Sequence, residues 1–149
     1  MDLWKSIRRK FQVAGQLSFR DWLGLAQAWW LLLAFHLALC RVSLERLEAF
    51  TRLASVENAA PAGALAWARH KQGLVSLAGR YHFLSMTCLP RAFALRWILS
   101  RHAIPSQLCI GVNKTPTALN LHAWVRVEAE AIGEPEDIAE KFTVLNGLG

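Results

Sequence analysis

The sequence predicts an α+β protein in which helices come first and a small antiparallel sheet follows. Three observations support this class: apolar residues recur at helical spacing through the N-terminal two-thirds of the chain, two runs after residue 106 alternate between apolar and polar residues, and a cysteine stands at the start of a helix just before them. The 149 residues suffice for a single domain, 1–149, that buries about two-thirds of its unfolded surface.

Charge and hydropathy are unevenly distributed along the chain. Hydrophobic residues make up 54% of the sequence and the mean hydropathy is +0.23, which predicts more apolar surface than an ordinary soluble domain has. Residues 1–57 carry a net charge of +3, residues 58–121 carry +7 with no acid, and residues 122–149 carry −4, which together give +6. The basic middle third would attract an acidic peptide, and it is equally compatible with a solvated surface. No nucleic-acid-binding motif accompanies it, so no nucleic acid is expected as a partner.

The N-terminal region, residues 1–57, is both apolar and basic. Residues 1–20 predict a short amphipathic helix, and Ser18 is placed to cap the next helix. Residues 22–40 carry no formal charge, a length borderline for spanning a bilayer. The lack of a small-residue cleavage site argues against a signal peptide, and a membrane span is the minority interpretation. We favour a core or partner-facing helix, because residues 41–52 continue at helical spacing, with the domain, a partner or a membrane surface as its cover.

The middle of the chain has a break and then returns to a helical pattern. Residues 58–63, with three alanines and Pro61, form the best break in the sequence. Residues 65–84 then predict one or two helices that lead to the cysteine, because Gly73 and Gly79 interrupt the apolar spacing.

The next helix is predicted to begin at Cys88. Thr87 is a plausible N-cap whose hydroxyl could accept a hydrogen bond from a backbone N–H, and Pro90 is tolerated in a first turn. Apolar residues between positions 89 and 99 are spread around the helix, which predicts that most of it is enclosed. Pro105 ends the helix, since the residue before a proline is pushed out of the α region.

Two strands follow, and they predict an antiparallel pair. Residues 107–112 alternate, a polar link covers residues 113–120, and the second run places His122 and Trp124 on one face with Ala123 and Val125 on the other. A short third strand over residues 130–133 is expected after a tight turn near Ala129.

The chemistry of this arrangement suggests a cysteine nucleophile, Cys88, with His122 as its base. The thiolate is the reactive form of cysteine, and a helix N-terminus and a nearby imidazole both stabilise it. Cys109 and Cys40 are expected to be packed, and an odd number of widely spaced cysteines predicts no disulfide framework and a reducing cytoplasm. A zinc site built from Cys88, Cys109, His102 and His122 lacks paired-ligand spacing, so neither metal nor other cofactor is expected.

These segments resemble a known family. Cys-Leu-Pro-Arg-Ala at the helix start, Ile-Gly-Val in the first strand, His-Ala-Trp-Val in the second, and the closing Ile-Gly-Glu-Pro-Glu-Asp with Phe-Thr-Val-Leu resemble the leader peptidases of lasso-peptide biosynthesis, over roughly residues 81–145. The resemblance implies a transglutaminase-like, papain-like cysteine protease fold, with residues 64–149 as its catalytic core. It also implies a cytoplasmic enzyme that removes the leader from a ribosomally made precursor peptide. A separate small leader-recognition protein and an asparagine-synthetase-like lasso cyclase would be its partners.

A cysteine protease of this kind needs a third residue that orients the histidine. No acid occurs between Glu57 and Glu128, so the orienting residue must come from the tail or the N-terminal half. We choose Glu134, which follows the third strand at about the spacing of the family's acid. The family more often has aspartate, which keeps Asp137 as the alternative, and an amide or a backbone carbonyl as a third option.

Two further residues are candidates for substrate binding. Arg91, three residues after Cys88, could steer substrate or pair with the acidic tail, although an exposed arginine in a first turn is the favoured interpretation. Trp124 could line the site or fill the core.

Two other functions stay open at this point. The same fold could carry a non-catalytic module that binds a peptide or a membrane, or an acyl or amide transferase that uses the same residues, because fold alone does not choose between hydrolysis and transfer.

Overall fold

The computed structural model describes residues 18–52, 61–114 and 118–145. Residues 1–17 of the amphipathic helix expected over residues 1–20, and residues 58–60 of the break at 58–63, lie outside these residues. The described elements, in chain order, are α1 Phe19–Leu39, α2 Leu44–Arg52, α3 Ala64–Arg80, α4 Cys88–Arg101, β1 Gln107–Lys114, β2 Leu119–Val127, β3 Glu130–Ala131, α5 Ile138–Lys141 and β4 Thr143–Val144. Helices first and then a small antiparallel sheet confirm the predicted α+β class.

Helix α1 begins where the sequence predicts, because Ser18 and Asp21 cap its first turn reciprocally. The backbone N–H of Asp21 donates to the Ser18 hydroxyl at 3.3 Å, and the Asp21 carboxylate accepts from the Ser18 backbone N–H at 3.0 Å. The Ser18 hydroxyl also donates to the Asp21 carboxylate at 2.8 Å, and this bond and the one from the Ser18 backbone N–H are the main reason that the pKa of Asp21 is lowered. Asp21 also lies 2.7 Å from Nε2 of His70, which ties α1 to α3.

The helical pattern that continues past Cys40 in the sequence is two helices in the structure. α1 ends at Leu39, residues 41–43 form a bend, and α2 begins at Leu44. In contrast, α3 is one helix that runs through both Gly73 and Gly79.

Helix α4 is the centre of the fold and packs against α1, α2, α3, β1 and β2. It begins at Cys88 as predicted, and nine of its fourteen residues are buried, which confirms that it is enclosed. Phe93 stacks on Phe35 of α1 with ring centroids 5.6 Å apart. The prediction that the Thr87 hydroxyl caps this helix is wrong. The third helical position is Pro90, which has no N–H to donate.

A buried ion pair joins α4 to α2. Arg96, in the middle of the enclosed helix, lies 3.4 Å from the Glu48 carboxylate, and both side chains are about 95% buried, with exposures of 4% and 5%. Burial lowers the pKa of Arg96, and the Glu48 charge partly offsets that effect. The pair neutralises the one charge that α4 carries into the core.

The sheet is fully antiparallel, with strand order β3-β2-β1-β4. β1 and β2 pair from Gln107 with Arg126 to Lys114 with Leu119, so the ladder continues into the segment predicted as a polar link. Backbone hydrogen bonds carry this pairing, and they do not require apolar side chains. β3 is shorter than expected, although the Ile132 N–H still donates to the Val125 carbonyl at 2.9 Å.

The two faces of β2 pack against different groups of residues. Ala123, Val125 and Val127 join the main core under α4, as the alternation predicts. Trp124 belongs to a small second cluster with Cys109 and Ile138 on the opposite face.

One face of α1 is covered by the domain and the other is exposed. Ala28, Leu32 and Phe35 are buried against the other helices. Opposite them lies an apolar face, called here the outer face of α1, whose side chains are 49–77% exposed: Phe19, Trp22, Leu23, Trp30 and Leu37. By length and composition α1 could also cross a membrane, and it is the one described helix that could.

Candidate active site

Cys88, His122 and Glu134 line one pocket of about 250 Å³. The pocket lies between α3, the first turns of α4, β2 and the segment that follows β3. The helix start holds Cys88, β2 holds His122, and the turn at Gly133, whose φ is +76°, brings Glu134 back towards β2. Residues far apart in sequence are thus brought to one opening. Its lining is Gln72, Ser76, Cys88, Arg91, Ala92, Leu95, His122, Ala123, Trp124, Val125, Ile132, Gly133 and Glu134.

Of the two candidate acids, Glu134 is the one that the structure places on the histidine. Its Oε1 lies 3.0 Å from Nε2 of His122, with 17% of the Glu134 side chain and 28% of the His122 side chain exposed. Asp137 instead lies 2.6 Å from the Lys141 ammonium. The contact of Glu134 is made through Nε2, so Nδ1 is the imidazole nitrogen that is not bound to Glu134.

Aromatic rings support His122 from its own side of the sheet. The Trp124 ring is stacked at 5.8 Å from the imidazole, and the Phe142 ring lies at 5.5 Å. Gly111, the residue paired with His122 across β1 and β2, leaves room for both rings. A Cβ at Gly111 would lie 2.7 Å from Cη2 of Trp124 and 2.8 Å from Cβ of Phe142.

Trp124 combines the two roles that the sequence left open. It lines the pocket and is also 97% buried, with an exposure of 3%. Its indole Nε1 is buried without a hydrogen-bond partner.

The three cysteines lie in different environments. Cys109 is in the core as predicted, and burial raises the pKa of its thiol, which keeps it protonated. The prediction that Cys40 is packed is wrong, because it lies exposed at the C-cap of α1. Cys88 is partly buried and is the cysteine that lines the pocket.

Arg91 is not the exposed surface arginine that the sequence favoured. It is partly buried and lines the pocket one turn after Cys88. Its guanidinium packs against the backbone of α3 at Gly79, where a Cβ would lie 2.7 Å from Nε of Arg91. No pairing with the acidic tail occurs among the described residues.

Sequence inspection missed several residues of this pocket. Gln72 and Ser76 of α3 line the pocket, and Gly79, three residues further along the same face, contacts the pocket residue Arg91. Two polar residues followed by a glycine at helical spacing are the signal that could have identified this face. Gly111 and Phe142 lie behind His122 and not in the pocket lining; they stand in the Ile-Gly-Val and Phe-Thr-Val-Leu segments of the sequence, which by themselves assign neither residue this position.

No cluster of three or more His, Cys, Asp or Glu side chains that could hold a metal ion occurs in the described ranges 18–52, 61–114 and 118–145. The pocket lining itself offers a thiol, an imidazole, a carboxylate, a guanidinium, a hydroxyl and a side-chain amide.

An α+β fold that brings a helix-start cysteine and a strand histidine to one pocket defines a class of proteins that includes cysteine peptidases and acyl transferases. The family comparison agrees with this class. Residues 29–147 match the transglutaminase-like superfamily, and the chain belongs to it. That superfamily includes cysteine peptidases and transferases. The match begins inside α1, so it covers the second half of α1 and all of α2. No match was found among curated proteins or solved structures.

Proposed function

We propose that this protein is a cysteine peptidase that removes the leader peptide from a ribosomally made lasso-peptide precursor. The observation that carries the proposal is the His122–Glu134 contact at 3.0 Å in the same pocket as Cys88, within a superfamily that contains cysteine peptidases. The motif resemblance over roughly residues 81–145 supports the choice of lasso-peptide precursor as substrate.

In this proposal Glu134 keeps the His122 proton on Nε2, which leaves Nδ1 to accept the proton of the Cys88 thiol. The resulting thiolate is stabilised by the imidazolium and by the unpaired N–H groups at the start of α4. Buried Cys109 has no access to the pocket chemistry.

The reaction then follows the order of thiol acyl transfer. The Cys88 sulfur attacks the carbonyl carbon of the scissile amide and forms a C–S bond, and the carbonyl oxygen becomes an oxyanion. The C–N bond breaks as His122 protonates the leaving nitrogen, which becomes the new amino terminus of the core peptide. Water, deprotonated by His122, attacks the thioester, releases the leader as a carboxylate and returns the thiol. The Cys88 backbone N–H at the helix start is one donor to the oxyanion, and Gln72, the one side-chain amide lining the pocket, is the candidate for a second.

The proposed partners are the precursor peptide, a separate small leader-recognition protein and an asparagine-synthetase-like lasso cyclase that closes the ring on the new amino terminus. The proposed location is the cytoplasm. The outer face of α1, with Trp22 and Trp30 exposed, supports an additional contact with a membrane surface.

Acyl or amide transfer is the second candidate function, and the presence of transferases in the superfamily favours it. The first half of the reaction is the same. An amine instead of water would then resolve the thioester on Cys88. The products distinguish the two functions, because hydrolysis leaves the leader with a free carboxylate and transfer joins it to the amine.

The test is cleavage of a lasso-peptide precursor, with and without a small leader-recognition protein, followed by mass spectrometry of both products. Cys88→Ala and His122→Ala are expected to abolish cleavage while the circular dichroism spectrum is unchanged. Cys40→Ala is the matched control, because it removes an exposed thiol outside the pocket, and it should cleave normally. Full cleavage by Cys88→Ala would exclude the nucleophile. A wild-type chain that binds the precursor and never cleaves it would support a non-catalytic module instead.

A further inference from the structure

Arg91 lies one helical turn after Cys88, and its positive charge forms no ion pair among the described residues. Residues three apart on a helix are neighbours, so Arg91 and Cys88 share one side of α4, and both line the pocket. Gly79 on α3 provides the space for the guanidinium, since a Cβ there would lie 3.1 Å from Cζ and from Nη2 of Arg91. This packing directs a cation to the substrate pocket and holds it there.

Among the described residues, the Arg91 guanidinium has no ion-pair partner. Nε of Arg91 is buried without a hydrogen-bond partner, and no ion pair of Arg91 is formed within the part of the chain that the structure describes. Residues 58–121 contain no acid that could supply one. Buried donors are nearly always paired in native proteins, so an unpaired one in a pocket needs an explanation.

Of the six tail acids, Glu128, Glu136 and Glu140 are exposed, and the other three are paired elsewhere. Glu134 lies on His122, Glu130 on Arg69, and Asp137 on Lys141. The pocket therefore presents one paired carboxylate and one unpaired cation, which is an arrangement suited to an anionic group brought by a ligand.

We propose that Arg91 is a specificity-determining residue that binds a carboxylate side chain, Asp or Glu, of the peptide substrate close to the scissile bond. The guanidinium is a planar fork that matches a carboxylate with two parallel hydrogen bonds, which a neutral amide does not match. The inference rests on the proposed function in that the ligand is a peptide. A side chain is the relevant source, because a chain cleaved internally has no free terminal carboxylate at the junction before the reaction.

Two small alkylating reagents test this without any peptide turnover. Both reagents, iodoacetate and iodoacetamide, alkylate a thiol through a CH2 group with loss of iodide. Iodoacetate carries a carboxylate on that carbon, and iodoacetamide carries a neutral amide. The measurement is the rate of Cys88 alkylation by each reagent at one pH, read by mass spectrometry in a Cys40→Ala background that removes the exposed thiol. The ratio of the two rates on one protein cancels any change in the fraction of Cys88 present as thiolate.

Arg91→Gln is expected to lower the iodoacetate-to-iodoacetamide ratio about tenfold or more, because a hydrogen bond to a charged group is lost. Arg91→Lys should give an intermediate ratio, since it keeps the charge and loses the fork. Arg101→Gln is the matched control, with the same change of charge on the same helix about 15 Å away, and it should leave the ratio unchanged.

A ratio in Arg91→Gln equal to that of the unchanged chain would overturn the proposal. So would a Cys88 that neither reagent alkylates, since the thiol and Arg91 would then not share an open pocket. If Arg91→Gln does not fold, the same question is tested on the wild-type chain. Glutarate should slow the alkylation of Cys88 by iodoacetamide, and glutaramide, its diamide, should not. Equal protection by the two compounds would overturn the proposal. An Arg91-dependent ratio in a chain that cleaves no precursor would leave the anion site standing and remove the peptidase proposal alone.

Discussion

Replacing Gly111 by alanine tests whether the packing behind His122 sets the activity. The added Cβ would lie 2.7 Å from Cη2 of Trp124 and 2.8 Å from Cβ of Phe142. Ordinary carbon–carbon contacts begin near ~3.5 Å, so one or both neighbours must move by roughly 0.8 Å. The Trp124 ring can shift as a side chain, whereas Cβ of Phe142 is attached to the backbone and cannot rotate away, so relief of that contact requires the backbone to move as well.

The shift should reach the histidine. The Trp124 and Phe142 rings lie 5.8 Å and 5.5 Å from the imidazole of His122. Overpacking of this kind costs about 1–3 kcal/mol of unfolding free energy. A displacement of a reacting group by about 1 Å can lower the rate of reaction about 100-fold. We therefore expect Gly111→Ala to lose far more activity than its loss of stability explains.

The assay pairs chemical denaturation with precursor cleavage at saturating substrate. Gly73→Ala is the matched control, because no atom lies within 4 Å of a Cβ at this exposed position inside α3. It should raise the unfolding free energy by about 0.5–1 kcal/mol and leave cleavage unchanged. Wild-type stability and wild-type cleavage in Gly111→Ala would refute the reasoning about the aromatic support.

Three further predictions follow from single contacts. Glu134→Gln should lower the cleavage rate about 10²-fold or more, because a neutral amide stabilises the imidazolium less than a carboxylate does. Asp137→Asn should cleave at a nearly normal rate in the same assay. The opposite order of the two rates would assign the orienting role to Asp137. Glu48→Gln should lower the free energy of unfolding by about 3 kcal/mol in chemical denaturation, because it leaves the buried Arg96 unpaired. The control Glu45→Gln, at an exposed position, should change this free energy by less than about 0.5 kcal/mol. Equal effects of the two changes would contradict the buried pair. Burial lowers the pKa of His82 in the folded chain, so the unfolded state binds the proton more readily. The free energy of unfolding should therefore fall as the pH drops below about 6.5, and it should fall less in His82→Gln. Thermal unfolding with the same pH dependence in both chains would contradict this.

Much of the fold could be predicted from features that involve only residues close together in the sequence. Ser18 and Asp21 placed the start of α1, because a capping box involves only four consecutive residues. The start of α4 at Cys88 and the β1–β2 pair followed from helical and strand periodicity, which also depend on neighbours in sequence. The error at Thr87 was itself local, since Pro90 removes the N–H that the cap would have used.

The candidate site was less visible in the sequence. Cys88, His122 and Glu134 could be named from their motifs, and the structure brings these three to one pocket. The pocket wall formed by α3 was not anticipated, because Gln72 is sixteen positions before Cys88 and no local rule says which face of α3 turns towards it.

The sequence by itself determined the order of elements, the helix that begins at Cys88, the strand that carries His122 and the apolar character of α1. Only the tertiary structure decided which charged groups are paired. Arg96 pairs with Glu48 in the core, whereas Arg91 lines the pocket with no ion pair among the described residues. The tertiary structure also decided that Gly111 must stay small. The physical reason is that hydrogen-bond caps and periodicity act over a few residues, whereas burial, desolvation and ring packing depend on atoms that distant segments bring together.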